Sequence, residues 1–369
     1  MQKWTTSHRG LSIVSLAVTL AALGGCSSSS VGPLAKNPGA SIARPSWTSG
    51  GYTLTTVYDT AGANNEITGI NTNGTIVGNY ASSTTSDASW TSYTSTSPYQ
   101  SFTVDTYSAV NGGAGGGTYL SSISNDSKIK VGTVYYPAGE NYNWGAVENG
   151  GLWSLTSRVG DSSDCPVPTH ELLGYDDNSG TQVAVGFYAS GTSCVIKPYL
   201  VRPGNIVDLT RFKGGVIPSN FINTSATGID YGDNIVGSTQ FTSSGTKTKP
   251  PAGWLQLQST TTKPNTLQPY WCCNTTSKVG YPTYFNGIAL VKSADEIVGS
   301  YKNGTVTHGF VWVVGSPTWT TVDAPPGADL TVVNGVSRDG KICGWYHEIQ
   351  TGHLYGFVGT PTTGLRKRH

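Results

Sequence analysis

Two short segments of this 369-residue chain place a histidine beside a glutamate, a pairing that general acid–base chemistry uses. One segment is His170-Glu171; the other is His347-Glu348, with His353 shortly after it. Two histidines could also bind zinc, but the sequence has no HExxH motif, no GxSxG elbow and no P-loop. We therefore keep these five residues as acid–base candidates and predict no metal site and no cofactor.

Aromatic residues recur in segments rich in Ser, Thr, Asn and Gly. Sugar rings stack on aromatic planes, and their hydroxyls form hydrogen bonds with neighbouring amides. Long loops on one face of a repeat protein often carry its function, so we predict a ligand-binding surface there. The alternative is that these rings only pack over their own loops. The binding candidates are Trp90, Tyr142, Trp144, Tyr270 and Trp271.

The stretch DDNSG, residues 176–180, alternates oxygen-bearing side chains as a calcium-binding loop does. It lacks the distant bidentate glutamate of such a loop, and it lies where a turn between two strands is expected. We therefore interpret it as turn chemistry. His308, at the start of a predicted strand, is interpreted as a structural packing residue.

The six cysteines fall into four groups. Cys26 follows the N-terminal apolar segment. Export would permit disulfides, and Cys165 and Cys194 lie in loops predicted on the same face, so we expect them to pair. The adjacent Cys272 and Cys273 could form a vicinal disulfide. Cys343 lies within a buried type of strand, and we predict a free thiol in the core.

The N-terminus reads as a targeting segment, residues 1–25. Lys3 and Arg9 precede an uncharged run, residues 11–23, that is too short to span a bilayer. The sequence Leu-Gly-Gly-Cys at 23–26 resembles a bacterial lipobox, which implies cleavage before Cys26 and its lipidation. The alternative is an ordinary secretory signal. Residues 26–50, rich in Ser, Pro and Gly, predict a flexible tether. Ser27 favours the outer membrane, so we place the protein in the bacterial cell envelope, held by its lipid.

The composition indicates an exported all-β protein. Charged residues make up only 12% of the chain, which contains 48 Gly, 20 Tyr and 10 Trp. There is no basic stripe, so nucleic acid is not an expected partner. The only basic cluster is in the tail, residues 363–369, which we interpret as a solvated end.

A repeated element organises the chain from 51 to 362. Its marker is the glycine of the "IVG" type of strand, which recurs at Gly78, Gly132, Gly186, Gly237, Gly299 and Gly344. Each unit contains four short strands with period-two alternation, separated by Gly-containing turns, which is typical of propeller blades. The last unit lacks its fourth strand, and residues 51–65 match that strand. We therefore predict an all-β fold, a six-bladed β-propeller of four-stranded antiparallel blades closed by the N-terminal strand, with a β-sandwich or solenoid as the alternative.

The segments "GINTNGTIVGNY" (69–80), "ADEIVGSYKNGTVTHGFVW" (294–312) and "TTVDAPPGA" (320–328) resemble the HAF-repeat family of bacterial proteins predicted to be extracellular. The resemblance covers most of 51–360 and is clearest in the last two units. It implies a repeat protein of the envelope and carries no catalytic residues.

These patterns favour binding over catalysis. The first hypothesis is an envelope interaction module whose partner is a polysaccharide or a surface protein. The second is a glycan-active enzyme, a lyase or hydrolase, at the mouth of the propeller axis; carboxylates converging on that mouth would favour it. The third is a structural scaffold of the envelope.

Overall fold

The computed structural model describes residues 46–57, 64–81, 90–105, 107, 117–135, 143–156, 170–176, 182–190, 194–202, 205–209, 221–241, 250–257, 268–270 and 281–362. Within these ranges the chain is all-β, with twenty-five strands and no α-helix. None of this described part contains a helix long and apolar enough to cross a bilayer. The predicted signal, the tether up to residue 45 and the basic tail lie outside it, as do Cys26, Tyr142, Cys165, Trp271, Cys272 and Cys273.

The strands of the first half are β1 (Ser46–Ser49), β2 (Tyr52–Val57), β3 (Asn64–Ile70), β4 (Ile76–Ala81), β5 (Thr91–Ser95), β6 (Thr103–Val104), β7 (Thr118–Ile123), β8 (Ile129–Tyr135), β9 (Asn143–Asn149), β10 (Leu152–Leu155), β11 (His170–Asp176), β12 (Val183–Ser190), β13 (Val195–Arg202) and β14 (Asn205–Asp208). Those of the second half are β15 (Phe221–Ile229), β16 (Ile235–Phe241), β17 (Ala252–Gln256), β18 (Gln268–Tyr270), β19 (Thr283–Val291), β20 (Ala294–Asn303), β21 (Val306–Val313), β22 (Thr320–Val322), β23 (Ala328–Val336), β24 (Ile342–Glu348) and β25 (His353–Pro361).

Sixteen of these strands form four antiparallel sheets of four, each in chain order: β3–β6, β7–β10, β11–β14 and β15–β18. The other nine belong to one sheet that holds two further groups of four, β19–β22 and β23-β24-β25-β2. A single parallel bridge between Thr307 and Leu330 joins those two groups. The predicted all-β class built from four-stranded antiparallel units is confirmed at this level.

The N-terminal hairpin β1–β2 attaches to the last strand of the chain. β2 pairs with β25, with Tyr52 opposite Pro361 and Val57 opposite Gly356. β1 lies outside β2, and the indole nitrogen of Trp47 donates to the backbone oxygen of Asp323 at 2.8 Å. The hairpin therefore connects the group that ends in β25 with the end of β22.

The first strand of each group, here called an inner strand, carries a β-bulge at the same repeat position. The inner strands are β3, β7, β11, β15, β19 and β23, and their bulges span Ile67–Gly69, Leu120–Ser122, Leu172–Gly174, Ala226–Gly228, Phe285–Gly287 and Val333–Gly335. A bulge inserts one unpaired residue and re-aims its side chain. In four of these strands the extra residue, Thr68, Thr227, Asn286 or Asn334, forms a hydrogen bond with a neighbouring inner strand.

Hydrogen bonds from these bulge residues join the inner strands. The hydroxyl of Thr68 donates to the backbone oxygen of Leu120 at 2.6 Å, and Thr227 donates in the same way to Phe285 at 2.6 Å. The amide of Asn286 reaches Val333 at 3.0 Å. A polar side chain at this position thus satisfies a carbonyl that would otherwise face no donor from its own sheet.

The glycines that mark the repeat are required by sterics. A Cβ atom at Gly186 would lie 1.8 Å from the backbone oxygen of Glu171, and one at Gly344 would lie 2.0 Å from that of Val332. Gly228, at a bulge, allows close packing of two inner strands: a Cβ there would lie 2.9 Å from the Cα of Gly287. Its φ is not in the left-handed region.

The hydrophobic core lies between neighbouring sheets. One cluster packs Ile67 and Ile76 of the first sheet against Cys343 and Val358 of the last group. Cys343 is a free, fully buried thiol, as predicted. Burial of the two side chains before the marker glycines explains why both are apolar in five of the six repeats; in the second repeat Lys130 precedes Val131, and its ammonium pairs with Asp105 and Glu148.

Candidate functional site

The inner strands have two distinct ends. Four of the six are entered through a connection that is long in sequence, such as 105–117 or 156–169, and all six are left through a short turn, such as 71–75 or 337–341. The short turns are closed by backbone hydrogen bonds, for example from Gly74 to Asn71 and from Gly340 to Ser337. We call the end at which the inner strands begin the long-loop end, and the end at which they run into the short turns the tight-turn end.

A tyrosine and a glutamate meet near the long-loop end. The hydroxyl of Tyr119, on β7, donates to Oε2 of Glu66, on β3, at 2.5 Å. Glu66 is only 5% exposed. Burial raises the pKa of Tyr119 well above its ordinary value, and the charge and hydrogen bond of Glu66 raise it further. Tyr119 therefore stays protonated at neutral pH and acts as a hydrogen-bond donor, not as a base.

The predicted pair His170-Glu171 begins β11, next to this tyrosine. Both side chains are buried. Burial raises the pKa of Tyr119 and of Tyr199, and the charge of Glu171 contributes to both increases. The ring of His170 packs against Trp144, with 4.7 Å between ring centroids.

Trp90 covers the tyrosine from the adjacent sheet. Its ring meets Tyr119 edge-on, with centroids 5.5 Å apart, and its backbone oxygen accepts the amide of Thr118. Six residues from three neighbouring sheets thus form one group, here named the strand-start cluster: Glu66, Trp90, Tyr119, Trp144, His170 and Glu171. It offers two carboxylates, a phenol, an imidazole and two indole rings.

Four of these six were candidates from the sequence, and two were not. Glu66 and Tyr119 lie at the position just before the bulge pair, which Glu171 also occupies in its own repeat. Aligning the repeats at the bulge, where five have glycine and the second has Ser122, places all three in one register. The residue types differ from unit to unit, so no motif marked them.

The other described candidates lie elsewhere. Tyr270 stacks on Phe285 at 6.0 Å and packs against Trp312 at 5.1 Å, within the core between β15–β18 and β19–β22. This contact supports a packing role for that ring.

The second His–Glu segment is bound within its own hairpin. His347 Nδ1 pairs with Asp329 Oδ1 at 2.6 Å, and Glu348 accepts the hydroxyl of Thr351 at 2.9 Å. His353 lies near Tyr355. These three residues belong to β24 and β25, apart from the strands that carry the strand-start cluster.

His308 behaves as the structural residue that the sequence predicted. Its Nδ1 lies 2.7 Å from Asp323 Oδ1, and its ring stacks on Tyr301 with centroids 5.1 Å apart. Cys194 takes part in a disulfide, and its pairing with Cys165 stays a prediction because the partner is outside the described ranges. Across those same ranges, no three His, Cys, Asp or Glu side chains are arranged to hold a metal ion.

Comparisons with known proteins give a fold-level likeness only. No family model and no curated protein matches the sequence. Among solved structures, the chain is similar to TolB from Acinetobacter baumannii, at 10% identity over 80% of this chain and 64% of that one, with a TM-score of 0.43. It is similar to the polysaccharide lyase Uly1, at 11% identity over 95% of each chain with a TM-score of 0.40, and to the sialidase of Trypanosoma rangeli, at 7% identity over 79% of this chain and 54% of that one with a TM-score of 0.43. At such scores nothing about this chain's ligand follows from them.

Proposed function

We propose that this chain is a six-bladed, ring-closed β-propeller that binds a polysaccharide at the long-loop end of its axis. The ring is supported by contacts between the first and last inner strands. The side-chain amide of Asn334 donates to the backbone oxygen of Ile67 at 2.9 Å, and a Cβ at Gly335 would lie 3.4 Å from the Cα of Gly69. β2 then supplies the outer strand of the sixth blade.

The strand-start cluster is the observation that carries the binding proposal. Carboxylates accept hydrogen bonds from sugar hydroxyls, and the phenol oxygen of Tyr119, whose own proton is donated to Glu66, accepts them as well. The indoles of Trp90 and Trp144 flank these polar groups, and aromatic faces stack on the apolar side of a sugar ring. Polar atoms between aromatic rings at the end of an axis suit a hydroxyl-rich ligand.

The same proposal places the protein in the bacterial cell envelope, held by a lipid on Cys26, with the outer membrane favoured. The first described strand starts at Ser46, so about twenty residues separate that lipid from the folded part, enough for a tether of several tens of ångströms. Replacing Cys26 by Ala should move the protein from the membrane fraction to the soluble fraction. Retention of the variant in the membrane fraction would contradict the lipid anchor on Cys26.

Binding is tested with the soluble form, residues 45–369, on a glycan array. Glu66→Gln removes a charge with little change of shape, and Trp144→Ala removes a ring. Trp153→Ala is the matched control, because this indole lies on β10, in the same sheet as Trp144, and packs against Tyr107 in the outer part of that sheet.

The expected result is binding to a defined group of glycans that Glu66→Gln and Trp144→Ala each weaken at least about tenfold, with Trp153→Ala unaffected. Equal binding by all four proteins would place the ligand away from the cluster. Silence across the array would reject a glycan ligand and favour a protein partner or a scaffold role.

A second candidate function is a glycan lyase or hydrolase at the same end. It is favoured by Glu66, which accepts the phenol proton of Tyr119, and by a second carboxylate, Glu171, whose charge contributes to the raised pKa of that phenol. His170 is the neighbouring base candidate. Incubation with each bound glycan, followed by mass spectrometry of the products, distinguishes the two: intact oligosaccharide supports binding alone, and cleavage abolished by His170→Gln or Glu171→Gln supports the enzyme.

A further inference from the structure

The bulge segments of the six inner strands enclose a cavity of about 70 Å³. It extends from Thr68-Gly69 and its counterparts to the tight-turn end, where Asn125, Asp176 and Arg338 line it. Each inner strand pairs with the second strand of its group, and on the other side only β23 makes a further pairing among the described strands, the single bridge to β21; the free edges present backbone polar groups to this space. A cavity of that volume has room for about five water molecules.

Two serines of β7 indicate that polar molecules occupy this cavity. Ser121 is 7% exposed, and its hydroxyl has no hydrogen-bond partner in the structure. At the same bulge position, Thr68 and Thr227 each donate to a neighbouring strand. Ser122, the next residue, stands where the other five inner strands have glycine, and it also lines the cavity. A buried hydroxyl without a protein partner is satisfied by bound water.

The tight-turn end of the cavity is crossed by an ion pair. The guanidinium of Arg338, after β23, donates to Asp176 Oδ1 at 2.6 Å, although the two residues are 162 apart in sequence. Asp176 ends β11, three inner strands away from β23 around the proposed ring. The same guanidinium lies over the ring of Tyr231, 4.8 Å from its centroid. The Asp176 side chain is 8% exposed, so the pair is shielded from solvent on the carboxylate side.

We propose that the axial cavity is a water-filled site for small solutes, and that the Asp176–Arg338 pair closes it at the tight-turn end. Solutes then reach the cavity from the long-loop end, and loss of the pair opens a second entrance. A pair with one buried partner resists opening because breaking it leaves that charge without compensation. The cavity site does not depend on the glycan proposal, since it involves none of the residues of the strand-start cluster.

The test is thiol labelling at the cavity wall. Ser122→Cys in the full-length chain, purified in mild detergent, places a small thiol on the lining, and methyl methanethiosulfonate is the probe. Peptide mass mapping reads the rate of modification at position 122 separately from that at Cys343. Ser121→Cys is the second probe position if the first variant does not fold.

Each cysteine variant is combined with a second substitution: Asp176→Asn, Arg338→Gln or the conservative Arg338→Lys. Lys128→Gln is the control, because Lys128 lies in a tight turn at the same end and its ion pair with Asp126 is exposed. We expect Asp176→Asn and Arg338→Gln to raise the labelling rate at position 122 by about tenfold or more, Arg338→Lys to have a smaller effect, and Lys128→Gln none.

Cys343 is the internal standard for general loosening. It is fully buried, and burial raises the pKa of its thiol, so it reacts only when the core opens. Faster labelling at 122 with unchanged labelling at Cys343 supports the closure. Equal acceleration at both positions, or no acceleration at 122, overturns it.

Discussion

The side chain of Asn334 donates a hydrogen bond to the backbone oxygen of Ile67 at 2.9 Å, across 267 residues of chain. It repeats, between the last and first inner strands, the bond that Thr227 makes to Phe285 within the chain. The two ends of the repeat array therefore meet through the same contact that joins its interior members.

Removing this amide should destabilise the folded chain. Asn334→Ala leaves the carbonyl of Ile67 without that donor, so we expect a loss of about 1–3 kcal/mol in the free energy of unfolding, measured by urea denaturation. Ser121→Ala is the matched control, because this serine occupies the equivalent bulge position and its hydroxyl has no protein partner. Its effect should stay within about 0.5 kcal/mol. Equal losses in the two variants would contradict the role of the bond.

The N-terminal hairpin should contribute to stability through Trp47. Its ring meets Tyr346 and Phe357 edge-on, with centroids 5.6 and 6.1 Å apart, and its nitrogen bonds to the backbone of Asp323. We expect Trp47→Ala to cost about 2–4 kcal/mol, since it removes a large half-buried ring and a hydrogen bond. The change is measured as a shift in the thermal midpoint.

Two control variants test whether the loss of the Trp47 contacts causes that shift in the thermal midpoint. Leu152→Ala, at a side chain that is 77% exposed, should leave the midpoint within error. Removal of residues 1–45 should do the same, because β1 begins at Ser46. If truncation before Ser46 lowers the midpoint as much as Trp47→Ala does, the tryptophan contacts are not its cause.

The marker glycines predict a steric penalty that depends on position. At Gly344 an added Cβ would lie 2.0 Å from the backbone oxygen of Val332 and 2.9 Å from the ring of Phe357. Gly344→Ala should therefore cost more than about 3 kcal/mol, or prevent folding. Gly304→Ala, with open space but a φ of 62°, should cost only about 1 kcal/mol. Expression as soluble protein and urea unfolding together rank the two, and a reversed ranking would count against the packing argument.

The sequence predicted the features that backbone packing forces. A glycine against a carbonyl oxygen allows no other residue, so Gly78 and its counterparts recur visibly, and the strands around them follow. Cys343 and His308 were also interpreted correctly, because their strand positions decided their surroundings. The alternation of the N-terminal strand matched the strand missing from the last unit, and β2 does pair with β25, whereas closure of a six-bladed ring stays a proposal.

The polar contacts between repeats could not be predicted from the sequence in this way. Asp176 and Arg338 lie in different repeats, and Arg338 has no basic counterpart in the other repeats, so neither spacing nor composition links them. Glu66 and Tyr119 share a repeat position but differ in type, and their hydrogen bond depends on how two sheets approach each other. The residues that are the same in every repeat determine the architecture, whereas the candidate site consists of residues that differ between repeats.

The carboxyl group of Asp295 gives the fold a pH dependence near neutrality. Burial raises its pKa to about 7, and the charge of Asp230 and a hydrogen bond with it act in the same direction. The side-chain amide of Asn234 donates to both carboxylates, at 3.0 and 3.2 Å. The folded chain therefore holds this proton more tightly than the unfolded chain does, where the pKa is near its ordinary value of 3.8.

Because the folded-state pKa is raised, the stabilisation from this proton is complete below pH 3.8 and is lost as pH rises toward 7. We expect the difference in unfolding free energy between wild type and Asp295→Asn to change by about 1–2 kcal/mol between pH 5 and 8, since solvent screens this half-buried group. Asp339→Asn, at an exposed carboxylate paired with Lys341, is the control and should show no such change over that range. Urea unfolding of the three proteins at each pH measures it. The neutral amide of Asp295→Asn resembles the protonated carboxyl and does not titrate. The free energy of unfolding of the variant should therefore increase relative to that of wild type as pH rises. A relative decrease as pH rises would show that the Asp230–Asp295 pair does not hold the proton.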